Sequence, residues 1–387
     1  MKKICVITGS RAEYGLLSRV MKLIRDDSDL LLQIIATNMH LSDKYGDTYK
    51  EIETDGFNID RKIPILSSFD TKNSTSKSVG TAIMGFADSY EDLKPDIIMV
   101  LGDRYEIFSA VSAAVLYKIP VIHIHGGEIT EGSYDNTFRH AITKMSHLHF
   151  TSTEEYRKRV IQMGEEPETV FYVGALGCDN IHQIQLLDKD TLEKILDFPL
   201  NKNTILVTFH PVTMENNTSE LHFKELLSAI NEFKHLKFIF TMPNSDTDNT
   251  IIMDLIKDYV SKNSDKSKWF HSLGTKQYLS TLQYIGAVVG NSSSGIIEVP
   301  SFHIPTLNIG DRQKGRISAK SVVNCASNKK EIKEKIELIT SSSFMNSISN
   351  TKNPYDKPNT AQEIVKIIKS RNNITVIKKF HNLDVNI

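Results

Sequence analysis

The 387-residue sequence carries 46 Lys and Arg against 47 Asp and Glu, a formal charge of −1, with 40% hydrophobic and 24% charged residues. That length exceeds one comfortable hydrophobic core and predicts two domains. A balance this even excludes a broad basic face for nucleic acid or an anionic membrane, so any anion site must be local.

The apolar run Ile4-Cys5-Val6-Ile7 is too short for a signal peptide, and no stretch nears the roughly 20 apolar residues of a membrane helix. Cys5, Cys178 and Cys325 lie far apart without a CxxC pair, which fits buried thiols in a reducing compartment. A soluble, cytoplasmic protein is expected.

In chain order, a buried strand at 4–8 leads through the turn Gly9-Ser10 to a helix from about Ala12. Strands follow at 31–37, 96–101, 121–124 and 148–151, with helical periodicity between them. Serines between 67 and 78 read as a surface loop. The pattern weakens after 173–177, and 197–203 is polar and breaker-rich. A second series begins at 204–208 and continues at 238–241, 287–289 and 305–309. Ser341-Ser342-Ser343 reads as another loop, a last helix runs from about Thr360 to Ser370, and the tail from Asn372 reads as loosely held. Near-continuous apolar strands separated by helices predict an α/β protein with two doubly wound parallel sheets. Ligands of such sheets bind beyond the carboxyl ends of the strands, so the residues after each strand carry the chemistry.

After the first strand, Thr8-Gly9-Ser10-Arg11-Ala12-Glu13-Tyr14-Gly15 combines close backbone approach, a helix N-terminus and a cation. It is not the GxGxxG fingerprint, so no nicotinamide or flavin cofactor is implied. Gly102-Asp103-Arg104-Tyr105-Glu106 follows the strand at 96–101. Helix capping accounts for Asp103 there but not for Arg104 beside it. His123 and His125, alternating along a strand end, are expected to share one side, followed by Gly126-Gly127-Glu128 and Asp135 to His140. Acid–base groups fit this company better than metal ligands. In the second half His210-Pro211 follows a strand, as does Asn244, and Asp246-Thr247-Asp248 reads as a cap rather than a metal-binding DxD. Gly290-Asn291-Ser292-Ser293-Ser294-Gly295 forms a phosphate cradle at a helix start, with no P-loop lysine. Glu298, one turn in, suits a ribose diol, and Gly310-Asp311-Arg312-Gln313 is a cationic turn.

As an ordered set, from the first strand to about residue 318, these motifs resemble the hydrolysing UDP-N-acetylglucosamine 2-epimerases. The resemblance implies a GT-B fold: two Rossmann-like doubly wound domains with a central cleft, at 1–175 and 176–359. It also implies a helix at 360–371 crossing back to the first domain, and a tail at 372–387. The implied reaction converts UDP-N-acetylglucosamine and water to N-acetylmannosamine and UDP through 2-acetamidoglucal, for sialic acid synthesis and surface polysaccharide. Asp103, His125, Glu128, Asp135 and His210 carry over as catalytic. Arg11, Gly15, His40, Arg104, His210, Asn244, Ser292, Ser293, Gly295, Glu298 and Arg312 carry over as UDP-binding. No metal or cofactor is implied, and a homodimer or tetramer is expected. His125 stands where other branches carry a glutamate, which leaves its role to be divided with Glu128. The alternatives are the same reaction on a nucleotide-linked 2,4-diacetamido-2,4,6-trideoxyhexose, a GT-B glycosyltransferase, and a sugar-nucleotide sensor without turnover.

Overall fold

The computed structural model describes residues 1–66, 71–131, 133–211, 218–243, 249–371 and 373–383. The chain separates into two compact units, one of Met1–Glu128, Asp135–Asn180 and Lys357–Ile387, the other of Ile129–Tyr134 and Ile181–Asp356.

The first unit holds β1 (Lys2–Thr8), β2 (Leu30–Thr37), β3 (Arg61–Ile63), β4 (Ile97–Leu101), β5 (Val121–Ile124), β6 (Leu148–Thr151) and β7 (Val170–Tyr172). They form one parallel sheet in the order β3-β2-β1-β4-β5-β6-β7. Alternate residues of one strand enter different cores. Ile4 and Val6 of β1 and Met99 of β4 pack with Leu17 and Val20 of the Arg11–Arg25 helix and Ile364 and Ile368 of the Thr360–Ser370 helix. Cys5, Ile7, Ile98 and Val100 pack on the opposite face with Phe86, Tyr90 and Val111. Burial on both faces is why these strands read as unbroken apolar runs.

The second unit repeats the plan with β8 (Thr204–Thr208), β9 (Lys237–Thr241), β10 (Ser267–Phe270), β11 (Ala287–Gly290), β12 (Thr306–Ile309) and β13 (Val322–Cys325). The order is β10-β9-β8-β11-β12-β13, again parallel. Phe238 and Phe240 enter one core and Ile239 between them the other. Both sheets are doubly wound Rossmann-like sheets of the GT-B class. In each, strand order reverses once, between β1 and β4 and between β8 and β11. At such a switch point the connections run to opposite faces and leave a crevice at the strand ends.

Three local readings change. The serine-rich stretch is not all loop, because Lys72–Leu93 is a helix whose N-cap Thr71 accepts from Ser74 N and whose Ser74 hydroxyl accepts in return from Thr71 N. Ser341 likewise caps a helix, Ser342–Ile348, since serine at a helix start satisfies an otherwise unpaired amide. The tail is docked rather than loose over residues 373–383. Lys378 Nζ donates to Lys144 O at 2.7 Å, to Ser146 O and to Glu165 Oε2 at 2.7 Å. All three cysteines are buried, and burial pushes the Cys325 thiol up to about 12. Among the described residues no helix is long and apolar enough to cross a membrane.

Candidate active site

At the first unit's switch point, β1 ends in Thr8-Gly9-Ser10 and β4 in Gly102-Asp103-Arg104. Ser10 caps the Arg11–Arg25 helix, its side chain accepting from Glu13 N, while Glu13 Oε2 reaches back to accept from Gly9 N at 2.7 Å. Arg104 stands at the N-cap of the Tyr105–Leu116 helix and donates from Nε to Glu106 Oε1 at 2.9 Å. A Cβ at position 9 would lie 2.4 Å from Glu106 Oε1, so any side chain there would displace Glu106. Burial first, then the neighbouring Glu106 charge, push the Glu13 carboxyl up to about 8.

Beside β4, the buried guanidinium of Arg139, on the Asp135–Met145 helix, joins the other acidic groups. It donates to Asp103 Oδ2 and, at 2.9 Å, to the carbonyl of His125, and it lies 3.7 Å from Glu128 Oε2. Ser152 donates to Glu128 Oε1 at 2.6 Å, and His125 Nδ1 lies 3.5 Å from the same oxygen. Asp103, His125 and Glu128 are therefore gathered around one arginine, and Asp135 opens the helix that carries it. His125 adopts φ +65°, a conformation costly for a residue with a Cβ and concentrated at functional positions.

That conformation also separates the two histidines expected to share a side. β5 ends at Ile124, so strand alternation does not extend to His125. His123 lies in the sheet with no exposure, Nε2 donating to Gly102 O at 2.8 Å and Nδ1 3.2 Å from the Thr143 hydroxyl. Burial drives its pKa down to about 3, which keeps it neutral and structural. His40 is equally enclosed. Its ring nitrogens bond the hydroxyls of Thr8 and Thr48 at 3.0 and 2.9 Å, and burial lowers its pKa to about 4. It supports the turn after β1 from behind. Arg11 donates from Nε to Glu51 at 2.7 Å, and the Gly15 carbonyl accepts from Asn180 at 2.8 Å.

At the second switch point, β8 runs into Phe209-His210-Pro211 and β11 into Asn291. The Asn291 side chain, with no exposure, joins the two loops. Its Oδ1 accepts from His210 N at 2.7 Å and its Nδ2 donates to His210 O at 2.8 Å. Its backbone carbonyl accepts from Arg312 Nη1 at 3.1 Å and Gln313 Nε2 at 2.9 Å. Gly290 precedes it at φ +139°, where a Cβ would stand 1.9 Å from Thr208 O. Three predicted groups, His210, Arg312 and the Ser292-Ser293 start, thus converge on one asparagine. The helix after Ser293 is a single turn, Ser294–Ile297, because Pro300 cannot continue it. Glu298 caps its end, and Gly295 packs against Thr306 of β12, whose hydroxyl donates to its carbonyl at 2.6 Å. Asn244 and Asp246-Thr247-Asp248 lie outside the described residues.

Residues 22–369 match the family model described as UDP-N-acetylglucosamine 2-epimerase. The chain belongs to that family. A Campylobacter jejuni relative, GDP/UDP-N,N'-diacetylbacillosamine 2-epimerase (hydrolyzing), is 44% identical over 89% of this chain and 88% of its own. The Escherichia coli polysialic acid biosynthesis protein P7 is 42% identical over 95% and 94%. A Legionella pneumophila UDP-N,N'-diacetylbacillosamine 2-epimerase (hydrolyzing) is 37% identical over 84% and 85%. Among solved structures, an S. aureus MnaA–UDP complex superposes with a TM-score of 0.80 at 18% identity, covering 99% of this chain and all of that one. It shares the fold. In this UDP-N-acetylglucosamine 2-epimerase family member, sequence reading passed over Asn291 and Gln313 as site-forming residues. Their only sequence signal is an amide immediately after a strand and another in a cationic turn.

Proposed function

We propose that the protein is a hydrolysing 2-epimerase whose substrate is a UDP-linked 2,4-diacetamido-2,4,6-trideoxyhexose. The observation that carries the substrate is the 44% identity, over nearly nine-tenths of both chains, to the C. jejuni relative named for that sugar. The L. pneumophila relative supports it. UDP-N-acetylglucosamine is the second reading, favoured by the E. coli relative named for polysialic acid biosynthesis.

The reaction begins with loss of the proton on sugar carbon 2 to a base and departure of UDP from carbon 1, which leaves a glycal. Water then adds across that double bond with inversion at carbon 2, its hydroxyl to carbon 1 and a proton to carbon 2. A carbon-bound proton is weakly acidic, so the base must be positioned and tuned. Asp103, His125, Glu128 and Asp135 supply those groups in this reading, with Arg139 bonded to Asp103 and lying 3.7 Å from Glu128 Oε2. The departing diphosphate needs cations and N–H donors where its charge develops. Arg312, His210, Ser292 and Ser293 serve that need, with Arg11 and Arg104 as further cations and Glu298 as the ribose acceptor.

Each nucleotide sugar is incubated alone, without an acceptor, in deuterated water and followed by proton NMR. Release of UDP with a free 2-epimerised diacetamido sugar bearing deuterium at carbon 2 is expected. Turnover of UDP-N-acetylglucosamine in its place transfers the assignment to that substrate. Consumption of neither, by a folded sample that binds UDP, refutes the epimerase reading.

A further inference from the structure

The first unit holds a buried pair of carboxylates that the reaction scheme leaves unused. Glu106 has no exposure and Glu13 only 6%. Both flank Gly9, Glu13 through the Gly9 amide and Glu106 by lying on its α-carbon. An acid in the first turn of a helix is ordinarily a solvated complement to the helix dipole. Glu106 is not solvated. One oxygen accepts from Arg104, and the other, Oε2, is buried with no hydrogen-bond partner among the described residues. A desolvated carboxylate with an orphaned oxygen is a costly placement. It is possible here only because position 9 lacks a side chain.

We infer that Glu106, seated on Gly9 and bonded to Arg104, is a positioning residue that holds the Arg104 guanidinium at the β1/β4 switch point. Glu106 grips the Nε edge and so orients the guanidinium plane. A single bonded carboxylate does this to arginine far better than to lysine, because the guanidinium is a rigid fork. Glu13 completes the device. The charged groups acting on it are Glu106, Arg104 and Asp103, and burial first, then the Glu106 charge, raise its pKa and so favour its protonated form beside Glu106. Ionisation of Glu13 sets a second negative charge against Glu106 and loosens its hold.

The inference rests on the proposed epimerase reading, in which Arg104 faces the nucleotide sugar. UDP release is measured for Glu106→Gln, Arg104→Lys and the double variant, on whichever nucleotide sugar the native protein turns over. Glu106→Gln is expected to lower kcat/KM about 100-fold, the order that small misplacements of reacting groups cause. The double variant is expected to be no worse than Arg104→Lys alone. Glu13→Gln, which mimics the protonated acid, is expected to move the alkaline loss of activity to higher pH. A folded Glu106→Gln within threefold of native, or losses that multiply in the double variant, overturns the inference. Should Glu106→Gln fail to fold, Glu106→Asp, which withdraws the carboxylate by one methylene, carries the same test. Should the native protein turn over no nucleotide sugar, the epimerase reading fails by itself. The positioning claim is then read from ¹⁵N-arginine spectra. A slowly exchanging Arg104 Nε–H resonance that is lost in Glu106→Gln upholds it, and an unchanged resonance overturns it.

Discussion

Replacing Asn291 with alanine tests the second unit's organisation through one side chain. The substitution deletes the acceptor for His210 N–H and the donor for His210 C=O, bonds of 2.7 and 2.8 Å at a position with no exposure. Each buried backbone group left without a partner costs about 1–3 kcal/mol, so the pair amounts to about 3 kcal/mol on a conservative count. In a unit of about 180 residues, a loss of that size lowers the melting temperature by roughly 6–12 °C. Asn291→Asp should fall at least as far. It keeps the acceptor but sets a carboxylate oxygen against the His210 carbonyl. Calorimetric melting with and without UDP, paired with titration calorimetry, reads both effects. Because Asn291 also seats Arg312 and Gln313 through its carbonyl, UDP affinity should fall together with stability. A melting temperature within 2 °C of native and an unchanged UDP affinity would refute the claim that this residue organises the β8/β11 switch point.

Arg139→Met leaves the Asp103 and Glu128 carboxylates without their shared cation. A loss of about 3–5 kcal/mol, as for other half-broken buried pairs, with near-complete loss of turnover, should appear in urea melts and initial rates. Acid sensitivity follows from His40, whose pKa of about 4 lies below its ordinary 6.5. The unfolded chain binds the extra proton between those values, so stability is whole above about pH 6.5 and falls as pH drops toward 4. The cost is about 2 kcal/mol at pH 5, and His40→Gln should flatten melting temperature against pH over that window. Deleting residues 372–387 removes Lys378 from the Lys144 carbonyl in the last turn of the Asp135–Met145 helix, from the Ser146 carbonyl just beyond it and from Glu165. A loss of about 1–3 kcal/mol and faster amide exchange in that helix are expected, and exchange at native rates counts against a docked tail.

The strands expected from sequence were all central ones, and each is found. The four that went unread, β3, β7, β10 and β13, are the outermost strands of their sheets. Edge position is the reason. Arg61-Lys62-Ile63 buries only its last residue and Ser267-Lys268-Trp269-Phe270 only its first, so neither shows the apolar run of a strand covered on both faces. Loop chemistry was legible wherever charge or glycine followed a strand, as at Gly9-Ser10-Arg11 and Gly102-Asp103-Arg104. His123 and His125 look alike in sequence yet end differently, one locked in the sheet against Gly102 O and the other turned by a positive φ toward Glu128.

By itself the sequence determined the two doubly wound units, the positions of their inner strands along the chain and the set of charged loops at their carboxyl ends. Burial on both faces and glycine-bearing turns are local properties written in consecutive residues. Only the tertiary structure decided which of those groups act together. Arg139 meets Asp103 across 36 positions because β5, which leads to the Arg139 helix, lies beside β4, and Asn291 meets His210 across 81 because β8 and β11 become neighbours where sheet order reverses. Hydrogen-bond partnership over such separations is set by the register of the sheet, which no single stretch of residues contains.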